Sequence, residues 1–257
     1  MLSRLRTIRF LSFLCSYVVN TKIMKIALIG YGAMGKLIEV LARDRNHTTA
    51  AVIDQESVMS SAEELADVLR TADVAIDFSV AAFARRNVEA SCLAGVPLVE
   101  GTTGWSPQFD VIKNIVREKD GAFVFGANFS LGVNLYYRVV EYASELFAKF
   151  DEYEGFIEER HHSRKVDVPS GTALKLKDII SEHIRKDFSI SSTRAGNIPG
   201  THRVGFDGSS DQILLEHIAR SRDGFAMGAI LAAEWMIGKK GFWEFTEVMD
   251  EILSDRS

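Results

Sequence analysis

The sequence predicts an α/β fold class: a doubly wound parallel sheet plus a smaller α+β domain with a mixed sheet. Three observations carry this. Strand-like and helical segments alternate from residue 24 to 130, the pattern of parallel strands joined by crossover helices. A glycine-rich turn closes the first strand-like run. After residue 130 the alternation stops, and helices and strands come in runs, as in an α+β unit.

The elements follow in order. Residues 25–29 form a short apolar run ending at Gly30-Tyr31-Gly32, which reads as a buried strand meeting a tight turn. A helix is expected over 34–43, with Met34, Leu37, Ile38 and Leu41 on one face, then a strand over 48–53 with Asp54 at its end. Further helices are expected over 62–69, 81–93 and 107–119, and strands over 74–78, 97–99 and 122–125. Right-handed crossovers put the carboxyl ends of these strands on one edge, where such sheets bind ligands. Gly30 to Gly35, Asp54, Phe78-Ser79, Gly101 to Gly104 and Gly126 to Phe129 therefore face one crevice. In the second half, helices are expected over 131–150, 172–185, 225–237 and 243–253, and strands over 154–160, 190–193, 201–206 and 213–219. The dinucleotide-type half spans 24–130 and the second domain 131–239, with the last helix, 240–257, returning to the first.

Residues 1–23 read differently. They hold Arg4, Arg6, Arg9 and Lys22, no acid, and a mostly apolar run from Phe10 to Val19. A signal peptide would need a small-residue cleavage site after that run. A membrane anchor would need about 20 apolar residues. We read the segment as an extension outside the fold, since Met24-Lys25 opens the first strand cleanly.

Composition narrows the function. Hydrophobic residues are 47% and charged residues 25% of the 257, and the net charge is −5. That argues against nucleic acid, whose binders carry a basic face, but leaves room for a local anion pocket. Cys15 and Cys92 do not make a disulfide framework, so a reducing, cytoplasmic compartment is expected. The six histidines and two cysteines lack the spacing of a structural metal site, and no metal is expected.

Gly30-Tyr31-Gly32-Ala33-Met34-Gly35 is a G-x-G-x-x-G between a strand and a helix. The first glycine permits the turn, the second lets backbone approach a pyrophosphate, and the third lets helix and strand pack. The helix start offers free N–H groups to phosphate. This is the Rossmann-type fingerprint. Asp54, 24 residues after Gly30, suits the adenine ribose hydroxyls and would repel a 2′-phosphate, so NADH is expected over NADPH.

The second motif is Glu159-Arg160-His161-His162-Ser163-Arg164-Lys165-Val166-Asp167-Val168-Pro169-Ser170-Gly171-Thr172-Ala173. It places Arg160, His161, His162, Arg164 and Lys165 together, just before a helix entry with Ser170 as N-cap. Basic groups beside a helix start suit a small carboxylate ligand. Histidine exchanges protons near neutral pH, and a reductase needs a proton beside its hydride.

The H-H-x-x-K-x-D-x-P-S-G-T-A pattern resembles the signature of the 4-hydroxy-tetrahydrodipicolinate reductase (dihydrodipicolinate reductase) family. Gly101-Thr102-Thr103-Gly104, Ala127-Asn128-Phe129-Ser130 with Gly132-Val133-Asn134, Arg194-Ala195-Gly196 leading to Gly200-Thr201-His202, and Ser221-Arg222 with Phe225-Ala226 and Gly228-Ala229 are similar to the same family. The resemblance covers about 24–254. It implies NAD(P)H-dependent reduction of 4-hydroxy-tetrahydrodipicolinate in the diaminopimelate route of lysine biosynthesis. His161 would be the proton donor or acceptor, and Lys165 a second donor or electrostatic stabiliser. His162 would bind substrate, and Gly171 and Thr172 would hold a substrate carboxylate. Gly30, Tyr31, Gly32, Ala33, Met34, Gly35, Asp54, Gly101, Thr102, Thr103, Gly126, Ala127, Asn128 and Phe129 would line the cofactor cleft. A small dicarboxylate substrate, a homotetramer built on the second sheet, and no membrane or nucleic-acid partner complete the expectation. The alternatives are another two-domain amino-acid dehydrogenase, which would oxidise an amino acid with NAD, and a non-enzymatic NADH sensor, which would bind without turnover.

Overall fold

Successive residues of β1 (Lys25–Ile29) point to opposite faces of a sheet, and both faces are covered. Ile26 and Leu28 enter one core, Ala27 and Ile29 another. This is the burial of a central parallel strand. The computed structural model describes residues 23–54 and 61–255, so the first 22 residues of the expected N-terminal extension lie outside the described residues.

Around β1 the chain builds α1 (Ala33–Asp44), β2 (Thr48–Ile53), α2 (Ala62–Leu69), β3 (Val74–Asp77), α3 (Ala84–Ala94), β4 (Leu98–Glu100), α4 (Phe109–Glu118) and β5 (Ala122–Phe125). Short 3-10 turns at Ala81–Phe83 and Ser106–Gln108 lead into α3 and α4, so both helices begin later than the sequence suggests. The second half adds α5 (Leu131–Phe147), β6 (Glu154–His161), α6 (Gly171–His183), β7 (Ile190–Arg194), β8 (Thr201–Asp207), β9 (Gln212–Ile218), α7 (Asp223–Met236), β10 (Gly241–Glu244) and α8 (Phe245–Ser254).

The first sheet has six parallel strands in the order β2-β1-β3-β4-β5-β10. Strand order reverses between β1 and β3, which puts a ligand crevice at their carboxyl ends. The second sheet is mixed, β7-β6-β8-β9, with β6–β7 parallel and the other pairs antiparallel. Helices α5 and α6 cover one face of it over Ile157, Val204 and Phe206.

One expectation is corrected. Residues 241–244 are strand β10, not part of a helix from Trp243. Phe242 stacks on Phe123 at 5.2 Å and meets Phe109 edge-on at 5.3 Å, so aromatic packing beside β5 decides a segment too short to show a period. Helix α7 also packs against the first sheet. Ala226, Ala229, Ile230, Ala232, Ala233 and Met236 pack into the core that holds Ile26 and Leu28. Small residues allow this approach: a Cβ on Gly228 would lie 1.7 Å from the Phe129 carbonyl oxygen. Glu234 of α7 also accepts from both Arg45, at 2.7 to 2.9 Å, and His47, at 2.9 Å.

Candidate active site

At the first sheet's carboxyl edge, backbone and small residues do the work. Gly30 has φ +84°, and a Cβ there would stand 2.6 Å from the Phe78 carbonyl oxygen. A Cβ on Gly35 would stand 2.3 Å from the Gly30 carbonyl oxygen, so this glycine lets α1 sit close to β1. Gly32 has open space where its Cβ would be. As N-cap of α1 it offers no side-chain acceptor, and the first helical bond is Lys36 N to Gly32 O at 3.1 Å. The N–H groups at Ala33, Met34 and Gly35 are thus left for an anion, beside an unobstructed backbone. A dinucleotide pyrophosphate fits these features. The Tyr31 hydroxyl donates to Glu39, and Asp54 is exposed just beyond β2.

Gly101 lies against Phe78, whose ring would be 2.2 Å from a Cβ. Thr102, Thr103, Gly104, Gly126, Ala127 and Glu244 help line a cavity of about 280 Å³ at this same edge. Phe129 follows in the same loop. Its ring is buried, packed on Phe245 at 4.7 Å and Phe78 at 6.3 Å, so its aromatic face belongs to the core and not to a cleft. Met34 likewise packs partly against that core.

At the end of β6, side chains dominate. The strand's inner face carries Ile157, Glu159 and His161 in period two. Register sets Ser192, Glu159, His202 and His217 in a row across β7, β6, β8 and β9. One face is thus apolar at one end, through Ile157, Val204 and Phe206, and polar at the other. Glu159 has a fully buried side chain. Its Oε1 accepts from Ser170 N at 3.0 Å, Ser192 Oγ at 2.7 Å and Arg194 Nη2 at 2.7 Å. Its Oε2 has no hydrogen-bond partner and lies 3.5 Å from His161 Nδ1 and 3.7 Å from His202 Nε2. Burial disfavours its charge, but the bonds from Ser170, Arg194 and Ser192 prevail and hold the carboxyl down to about 2.

Both imidazoles are pushed towards the neutral form. Burial lowers His161, with Glu159 opposing and Arg194 and Lys165 adding to the depression. Burial and then His161 lower His202 to about 4. The two rings meet edge-on at 5.0 Å, and His202 Nε2 is 3.1 Å from Ser170 Oγ. The donor atoms of Glu159, His161 and His202 lie within 4.8 Å of one another, a spacing a cation could use. The Arg194 guanidinium already neutralises this carboxylate, which favours proton handling over metal binding.

Lys165 Nζ pairs with Asp167 Oδ1 at 2.9 Å. That contact, ahead of opposing burial, lowers Asp167, with a further bond from the Gly171 backbone. Asp167 therefore presents a carboxylate to both Lys165 and the start of α6. Ser170 caps α6 as expected, accepting from Ala173 N at 3.2 Å. A Cβ on Gly171 would meet nothing. His162, half-buried, follows β6, with its Nδ1 buried and unpartnered. Asn128, in the loop after β5, donates from Nδ2 to Thr172 Oγ1 at 3.2 Å. It joins the cofactor-type edge directly to the α6 start. Sequence reading did not single out Glu159, His202 or Arg194 for the site. Glu159 had a signal, being two residues before His161 on one strand face.

Residues 24–129 match the family model for dihydrodipicolinate reductase, N-terminus, and residues 132–249 that for its C-terminus. The chain is 35% identical to the 4-hydroxy-tetrahydrodipicolinate reductase of Christiangramia forsetii, over 90% of this chain and 100% of that protein. It is 38% identical to the enzyme of the same name from Methanosarcina barkeri, over 74% of this chain and 79% of that protein. The fold is similar to a dipicolinate-bound dihydrodipicolinate reductase from Paenisporosarcina sp. TG-14, with a TM-score of 0.70 and 21% identity over 88% of this chain and 100% of that one.

Proposed function

The chain belongs to the dihydrodipicolinate reductase family, and from that premise we propose how its residues divide the reaction. It is an NAD(P)H-dependent oxidoreductase that reduces 4-hydroxy-tetrahydrodipicolinate to tetrahydrodipicolinate in the diaminopimelate route of lysine biosynthesis. Water leaves the 4-hydroxy substrate to give a conjugated imine ring, and a hydride and a proton complete the reduction. The bound nicotinamide cofactor supplies the hydride.

In our reading, Gly30 to Gly35 hold the pyrophosphate, and Gly101 to Thr103 with Gly126 to Asn128 line the nicotinamide end. Of Phe129, only the backbone contributes. The substrate is a small dicarboxylate. One carboxylate takes the place Asp167 now fills, between Lys165 and the N–H groups around Gly171 and Thr172. His162 contacts the substrate. His161 carries the proton. Burial keeps its imidazole neutral in the free protein, so it must first gain a proton. A bound dianion favours the imidazolium, and the free Glu159 Oε2 beside Nδ1 does the same. Lys165 then stabilises negative charge building on the ring.

The observation that carries this reading is the Asn128–Thr172 hydrogen bond at 3.2 Å, which brings a loop of the dinucleotide edge to the helix start beside the histidines. The test is a coupled assay: generate the 4-hydroxy substrate in situ and follow nicotinamide absorbance with each cofactor. Consumption dependent on that substrate is expected. Its absence, with oxidation of an amino acid by NAD instead, would overturn the reading.

Exposed Asp54 at the end of β2 favours NADH. Replacement of Asp54 with Ser is expected to raise the NADPH to NADH ratio of kcat/KM several-fold, about 1 kcal/mol of discrimination. An unchanged ratio removes Asp54 from the ribose site. Ile213, Leu214 and Ile218 leave apolar surface exposed on β9, which suits a homotetramer built on the second sheet, and native mass spectrometry would read its mass. No helix among the described residues is long and apolar enough to cross a membrane.

A further inference from the structure

Two acids end neighbouring strands of the first sheet. Asp77 closes β3, Glu100 closes β4, and the two are register partners. Parallel register points both side chains to the same face. Each residue is 0% exposed. Asp77 is well supplied with donors: Oδ1 accepts from Ser79 N at 2.8 Å and lies 3.4 Å from Thr102 Oγ1, and Oδ2 accepts from Asn87 Nδ2 at 2.5 Å. Glu100 has fewer. Its Oε1 accepts from Thr102 N at 2.8 Å, and its Oε2 is buried with no partner.

The groups in direct contact with the pair are neutral or apolar. Glu100 lies beside Phe125 of β5, and Asp77 beside Ile29 of β1. Helix α3 contributes the neutral Asn87, whose Oδ1 accepts from Arg86 at 2.9 and 3.2 Å. Among the described residues, no ion pair joins Asp77 or Glu100 to a lysine, arginine or histidine. Two adjacent buried carboxylates without a cation cannot both ionise at neutral pH. Asp77, with more donors, is the better anion.

We propose that Glu100 is a buried neutral acid that donates a hydrogen bond to Asp77, and that this one-proton pair positions Ser79 and Thr102 at the cofactor edge. The proton gives the otherwise idle Oε2 its partner and ties the loop after β3 to the loop after β4. Both pass the same point, since the Phe78 ring packs on Gly101. Thr102 is held twice, by its N–H and its hydroxyl, where the cavity of about 280 Å³ begins. Burial pushes both carboxyls up, and the neighbouring Asp77 charge drives Glu100 further. Loss of the proton at alkaline pH sets two anions against each other, and the loops part. The positioning role rests on the assignment of this edge to the nicotinamide cofactor. The shared proton does not.

The experiment compares the full-length wild type with Glu100→Gln and Glu100→Leu. Glutamine is neutral and nearly isosteric. It accepts from Thr102 N and donates to Asp77 at every pH. NADH affinity is read by fluorescence titration across neutral to alkaline pH. The wild type is expected to lose roughly tenfold in affinity as Glu100 ionises. E100Q should bind within about twofold of the wild type at neutral pH and stay flat, whereas E100L, which cannot bridge, should bind roughly tenfold more weakly throughout. Infrared spectra of the apo proteins should show a neutral-carboxyl C=O band at neutral pH that vanishes in E100Q. E100Q should also gain in melting temperature over the wild type as pH rises above 4.5, the ordinary carboxylate value. An unchanged carboxyl band, or a melting difference that ignores pH, overturns the shared proton. A folded E100Q with the wild type's alkaline loss overturns the positioning role. A wild type that binds no NADH overturns the cofactor assignment and the positioning role together, while spectrum and melting still judge the proton.

Discussion

The two edges that meet at Asn128 are built on opposite principles. On the first sheet, we read the ligand-facing groups as the backbone N–H donors of Ala33, Met34 and Gly35, with open space at Gly32 and close packing at Gly30 and Gly35. The acids there, Asp77 and Glu100, are sunk beneath the loops. On the second sheet, the chemistry lies in side chains, with Glu159, His161 and His202 buried and Lys165 at the rim. The difference follows from the tasks. A pyrophosphate needs close approach and many weak donors. Proton transfer needs groups whose charge state the environment sets.

Breaking the second edge should leave the first intact. His161→Ala and Lys165→Ala are each expected to cut kcat about 10²-fold with NADH affinity within twofold. Steady-state kinetics and NADH titration on the same samples check this. Near-native kcat in both variants would move the chemistry elsewhere. The converse substitution is Gly30→Ala. Its Cβ would press within 2.6 Å of the Phe78 carbonyl in a left-handed turn, costing about 2 kcal/mol of stability and much of the NADH affinity. Urea unfolding and titration would show it, and a full-strength variant would contradict the packing.

Glu159→Gln sharpens the comparison. It keeps an acceptor for Ser170, Ser192 and Arg194 but removes the charge beside His161. We expect roughly tenfold lower kcat, and an alkaline limb of the pH–rate profile displaced to lower pH, because the imidazolium that must give up the proton loses its counter-charge. A merely structural role would leave that limb where it was. A separate effect concerns acid stability. Burial holds His202 down to about 4 when folded, against an ordinary histidine value of 6.5. Between these values the unfolded chain binds more protons, so stability falls as pH drops through that window, by about 3 kcal/mol for His202. Burial also lowers His161, which acts in the same direction. Glu159 likewise contributes stability that is full above 4.5 and is lost as pH falls from there to about 2. Melting curves of His202→Gln should slope less between pH 6 and 4 than those of the wild type.

Much of this was legible in one dimension. Gly30, Gly32 and Gly35 stand in one G-x-G-x-x-G, and Ser170 caps the helix that starts at its own next residue. A continuous apolar run located β1, buried on both faces, and period 3.6 located α1, buried on one. His161, His162 and Lys165 lie within five residues, so their common location needed no fold.

What the chain alone could not give are relations between distant segments. Strand register, set by hydrogen bonds, brings His202 of β8 beside Glu159 of β6, and Arg194 reaches the same carboxylate from β7. Helix α7 was visible as a helix, but only packing decided that its small residues press against the first sheet. Four residues at 241–244 carry no period, and became a strand because β5 offered an open edge and Phe123 a ring to stack on. The sequence by itself determined the elements and the chemically able residues, because those depend on neighbours along the chain. The tertiary structure decided which acids stay ionised and which rings face the core, because burial and distance exist only once the strands are side by side.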